Sequence, residues 1–113
     1  MELTKNKIKA IYPDVEEEQV DLVVDLVSSR LLNKLRAFSE EIKEIPDALS
    51  YVVTELSLAR FNKLGSEGVF QESVEGHHVQ YIERYLDTYE DDLWEWALFN
   101  GYVEDGKATV RFL

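Results

Sequence analysis

Cysteine is absent from the 113 residues, which excludes a disulfide framework and a thiolate metal site and fits a reducing compartment. Proline occurs only twice, and no Pro-, Gly- or Ser-rich tract marks a linker, so residues 1–113 are expected to form one domain. Long hydrophobic runs are also missing. No window approaches the roughly 20 apolar residues that cross a bilayer, and MELTKNKIKA holds no apolar run of a signal peptide. A cytosolic protein without membrane contact is expected. Basic residues are scarce: 12 Lys and Arg face 23 Asp and Glu, a net charge of −11. A nucleic-acid binder needs cations to neutralise phosphates, so this balance repels DNA and anionic surfaces instead. A channel through which DNA slides without being held is one use of such repulsion; plain solubility is another.

What is present is apolar material, 45% of the chain, with 12% aromatic. That is enough for one modest core. A first helix is predicted over 4–11, with Thr4 as N-cap and Ile8 and Ile11 on one face. Tyr12-Pro13 interrupts it, because the residue before proline is pushed out of the helical region. Asp14 then caps a second helix over about 15–38, with Glu17 three residues on as in a capping box. Val20, Val23, Val24, Val27, Leu31, Leu35 and Phe38 form its buried stripe. Leu22, Leu26 and Leu32 broaden that stripe beyond what one packing partner requires.

Residues 39–44 are charged and predicted to be a loop, and Pro46 suits the first turn of a third helix reaching Leu64. Leu49, Val52, Val53, Leu56 and Ala59 are expected to face inward, with Tyr51, Leu58 and Phe61 pointing elsewhere. Gly65 is expected to end that helix. Over about 65–82 the weak alternation toward Tyr81 predicts a loop or short hairpin. Leu86, Tyr89, Leu93, Trp96 and Ala97 restore helical spacing up to Asn100-Gly101. Residues 102–113 are expected to form an extended arm, with Val103, Val110 and Phe112 able to pair around Asp105-Gly106. The fold class is therefore mainly α: a small bundle of three to four helices with a protruding loop or hairpin and a C-terminal arm.

Catalytic patterns are few. His77-His78 is the only histidine pair, and neighbours on an extended segment point to opposite faces, so they do not share a metal. Exposed loop histidines are expected, with no metal and no cofactor. Asp91-Asp92 and Glu40-Glu41 sit at helix starts or in charged loops rather than in a pKa-splitting cleft. No serine occupies a nucleophile elbow and no phosphate loop is present, so no enzyme activity is expected. Trp94 and Trp96 are two residues apart, which places one in the core and the other at a rim or against a partner. Arg60 and Lys63 precede the acidic residues Glu67, Glu72 and Glu75. They form either a local ion pair, worth at most about 1 kcal/mol if exposed, or a charge match between neighbouring copies.

The stretch 48–82 carries the order ELxxARFNxLGSEG followed by ESVEG, and in this it resembles the head–tail connector, or head-completion adaptor, proteins of tailed bacteriophages. The resemblance implies a small helical subunit that docks as a ring on the portal after DNA packaging and extends the DNA channel. It also implies a surface offered to a downstream tail or stopper protein. The implied partners are thus the chain itself, a portal protein and a tail or stopper component, with DNA passing through unheld. The implied locations are the virion and, during assembly, the cytoplasm of a Gram-positive host. The motif positions are Glu55, Arg60, Asn62, Gly65, Glu67, Gly68, Ser73, Glu75 and Gly76. From these and the exposed aromatics comes an expected interface set of Arg60, Lys63, Glu67, Phe70, Glu72, Glu75, Trp94 and Phe112, with Gly65, Gly68 and Gly76 shaping the loop. The final GKATVRFL departs from relatives that end soon after the last helix. The alternative reading is an acidic helical regulatory module that mimics DNA and blocks a basic partner. A third, a small metal-dependent enzyme, requires His77 or His78 to meet carboxylates in a pocket.

Overall fold

A computed structural model describes residues 2–67 and 75–104. These form five α-helices: α1 Glu2–Ile11, α2 Glu17–Arg36, α3 Ser50–Glu67, α4 Glu75–Leu86 and α5 Glu90–Phe99. Short 3-10 turns, Asp47–Leu49 and Asp87–Tyr89, lead into α3 and α5. No strand occurs among the described residues. The mainly helical bundle predicted from the apolar spacing is the fold.

Helix α2 is its axis. At 20 residues and 1.5 Å per residue it is about 30 Å long. It packs against α1, α3 and α4, which is why its apolar surface is broader than one stripe. Val20, Val23, Val24, Val27, Leu31 and Leu35 are buried. Leu26, Leu32 and Phe38 pack half-buried around them. Partners across the bundle set the helix directions. Thr4 meets Thr54 at 2.8 Å and Tyr12 meets Asn62 at 3.4 Å, so α1 and α3 run parallel. Arg30 pairs with Glu83 at 3.3 Å and Lys34 with Asp87 at 3.2 Å, so α2 runs parallel to α4 and its 3-10 extension. Arg60 on α3 meets His78 on α4, while Glu55 meets Tyr89 further on, and these two helices are antiparallel.

Several local expectations change. Thr4 is not a cap but a buried residue inside α1, and Ile11 is 57% exposed although Ile8 is fully buried. Asp14 does not start α2: Glu16 is its N-cap residue, without a side-chain bond. Val15 is drawn into the core, and its carbonyl accepts from Lys9 Nζ at 2.7 Å, which delays the helix by two residues. On α3, Phe61 is buried and Ala59 exposed, the reverse of the expectation. The buried face runs Val53, Leu56, Ser57, Arg60, Phe61 and Leu64, a single stripe at 3.6-residue spacing that Ala59 does not join.

The predicted loop or hairpin over 65–82 is largely replaced by helix. Gly65 lies within α3, which continues to Glu67; a glycine costs about 1 kcal/mol in a helix interior, and the buried Leu64 anchors the turn before it. Residues 75–82 belong to α4, including Gly76 in its first turn. Residues 68–74 lie outside the described residues, as do 105–113 and with them most of the expected arm. The predicted stop at Asn100-Gly101 is where α5 ends. Gly101 has φ +80°, its N–H bonds Leu98 O at 3.2 Å and that of Tyr102 bonds Ala97 O at 2.8 Å, a Schellman cap. The cap folds Tyr102 onto Trp96, ring centroids 5.4 Å apart.

Candidate functional site

Two polar centres join α3 to the C-terminal half of the bundle. The first is buried. Arg60, 8% exposed, donates from Nε to Nδ1 of the fully buried His78 at 2.9 Å. Its guanidinium lies 4.8 Å from the centroid of the Tyr81 ring, a cation–π contact. Tyr81 in turn packs on Tyr85 at 4.4 Å. Because Nδ1 accepts a hydrogen bond, His78 is neutral with its proton on Nε2. Nε2 itself has no hydrogen-bond partner. Burial, then the charges of Arg60 and His77, pushes the His78 pKa down to about 4. Burial raises that of Tyr81, Tyr85 adds to the rise and Arg60 opposes it.

The second centre is at the rim, where α3 meets the turn into α5. Tyr51 donates its hydroxyl to Asp92 Oδ2 and Tyr89 donates to Glu55 Oε1 at 2.9 Å. The two rings meet edge-on at 6.5 Å. Burial first, then the accepting Asp92, pushes the Tyr51 pKa up to about 12. Tyr89 is raised by burial and by Glu55. Both tyrosines therefore stay protonated donors at neutral pH. Their arrangement clamps helices together; it does not activate a nucleophile.

Against this geometry the expected interface set divides. Arg60 is taken into the fold, facing His78 rather than solvent, and His78 is a core residue of α4 rather than an exposed loop histidine. His77 is exposed, as is Lys63. Trp94 is half-buried and packs edge-on against Phe38 at 6.1 Å; Trp96 is half-buried against Tyr102. Neither tryptophan occupies the deep core, so the expected division into one core and one rim residue gives way to two rim positions. Glu67 is the last residue of α3 and Glu75 the first of α4. Phe70, Glu72, Phe112 and Gly68 lie outside the described residues.

The tyrosine clamp was missed by sequence reasoning, although its signal is present. Tyr51 and Glu55 are spaced i, i+4 and Tyr89 and Asp92 i, i+3, so each pair shares a helix face. Among the described residues no group of three or more His, Cys, Asp or Glu is placed to hold a metal ion. No helix there is long and apolar enough to cross a membrane. Two open grooves flank the start of α3. One, about 470 Å³, is lined by Ala48, Leu49, Tyr51, Asp92, Glu95, Trp96 and Phe99. The other, about 510 Å³, runs between α1 and residues Ile45, Asp47, Ser50 and Thr54.

Fold and site together define a small helical-bundle protein whose polar centres hold helices in place. Its sequence matches the family model of phage gp6-like head-tail connector proteins over residues 4–96. The chain belongs to that family, a class of structural virion components. No curated protein and no solved structure shows significant similarity to it.

Proposed function

We propose that the chain is the ring-forming subunit of a head–tail connector, docking on the portal after DNA packaging and completing the head. The observation that carries this reading is the family match across residues 4–96. In the assembled particle the subunits extend the DNA channel and present a surface to a tail or stopper protein. The net charge of −11 supports passage of DNA without retention, since like charges repel at channel distances. The protein is then found in the virion, and in the host cytoplasm while assembly proceeds.

The test uses DNA-filled heads from a phage deleted for this gene. Purified protein is added and the portal vertex imaged by negative-stain electron microscopy, with tail attachment scored in parallel. Closed ring density at the portal and restored tail attachment are the expected results. Heads that remain bare at saturating protein refute the reading.

A further inference from the structure

Among the described residues, five large hydrophobic side chains are exposed: Leu3, Ile11, Tyr51, Tyr85 and Phe99. Four of them fall into two groups. On α1, Leu3, Lys7, Ala10 and Ile11 are all exposed and follow at i, i+4, i+7 and i+8, which makes one stripe. Leu3 is 78% exposed, and the one charge within the stripe is Lys7. Leu3 and Lys7 also wall the neighbouring groove together with Glu2 and Asp47, and residues 7–11 themselves hold no acidic side chain.

The second group is on α5. Asp92, Glu95, Trp96 and Phe99 follow at i, i+3, i+4 and i+7 and wall the groove floored by Ala48 and Leu49, with Tyr51 beside them. Phe99 is 91% exposed. Both charges here are acidic; Asp92 accepts from Tyr51, and Glu95 is exposed at the groove. One surface is thus an apolar ridge with a lysine, the other an apolar groove with a glutamate. Their charges are opposite in a chain whose overall charge drives copies apart.

We infer that the α1 stripe of one copy docks in the α5 groove of a second copy, with Lys7 facing Glu95 and Ile11 against Trp96 and Phe99. The inference rests on the ring reading proposed above and assigns it two surfaces. Because the surfaces differ, the contact is head-to-tail and repeats from copy to copy until rotation closes it. Apolar burial supplies the attraction. The single charge pair sets orientation and disfavours the reversed contact.

The chain has no cysteine, so single-cysteine variants report on this contact directly. Lys7→Cys and Glu95→Cys proteins, full length and at millimolar concentration, are treated with a short bismaleimide separately and mixed. The expected result is a covalent dimer in the mixture and none in either variant alone. Adducts within one variant, or no adduct in the mixture, overturn the assignment. In sedimentation velocity, Lys7→Glu and Glu95→Lys each weaken self-association about tenfold and restore it when combined. Phe99→Asp abolishes it with an unchanged circular dichroism spectrum. Association indifferent to all three substitutions overturns the contact. Rings that form on portal-bearing heads despite them leave the connector reading standing and discard the α1–α5 pairing. A mixed adduct from a protein that never engages those heads does the reverse.

Discussion

Protonating His78 should unfasten α4 from α3, and the size of the effect follows from the site. The imidazole is fully buried and accepts from Arg60 Nε at 2.9 Å. Adding a proton at Nδ1 removes the acceptor and sets an imidazolium against a guanidinium. With the pKa pushed from 6.5 to about 4, the folded protein takes up the proton later than the unfolded chain does. The stabilisation is therefore complete above pH 6.5 and is lost as pH falls toward 4. A difference of about 2.5 units at 1.36 kcal/mol each sets a ceiling near 3 kcal/mol, of which about 2 kcal/mol is gone by pH 5. The assay is urea unfolding followed by tryptophan fluorescence between pH 7.5 and 4.5, on the wild type and on His78→Gln. Glutamine can accept from Arg60 but does not titrate. Carboxylate protonation is common to both proteins and cancels in the difference. The wild type should lose about 2 kcal/mol more than the variant between pH 7.5 and 5. Parallel curves, or a His78 imidazole titrating near pH 6.5 by NMR, would refute the argument.

Leu31→Ala, at a fully buried position on the central helix, should cost about 2–5 kcal/mol, measured as the shift in the urea midpoint at constant slope. Gly101→Ala forces a side chain onto φ +80° and should cost about 1–2 kcal/mol. The empty space around that position means backbone conformation, not a clash, is what the melting temperature reports. Lys34→Ala removes a partly exposed ion pair with Asp87. It should cost below about 1 kcal/mol, and the loss should shrink in high salt.

The parts of the fold legible in the sequence are those where apolar spacing and burial agree. The valines and leucines of α2 recur at 3.6-residue intervals because that helix is packed on several sides, and Asn100-Gly101 stops α5 because only its glycine conformation completes the cap. Helix α4 was illegible for a specific reason. Its buried face is His78, Ile82 and Leu86, at i, i+4 and i+8, and the first of these passes for a polar residue. Histidine behaves as a core residue there because burial, and then the charge of Arg60, keeps it neutral, with Nδ1 accepting from that arginine 18 residues away. The pairing becomes visible only once both segments are helical. Gly65 misled in the opposite direction, since its conformational freedom is unused inside α3. The family motif pointed to Arg60 and Glu55, yet each turned out to join helices within the subunit: Arg60 to α4, and Glu55 to the turn before α5.

The paired bridges from α2 to α4 and to the 3-10 turn that follows it have a consequence for how these helices are set against each other. Arg30–Glu83 and Lys34–Asp87 share a sequence offset of 53 and sit one helical turn apart, so they act as a two-tooth vernier on sliding. Close packing of the buried seam already resists axial slip, and the bridges add to it: a one-turn slip brings Arg30 toward Asp87 but strands Lys34 and Glu83. The two exposed pairs therefore bias this helix pair toward one axial setting, each by no more than about 1 kcal/mol.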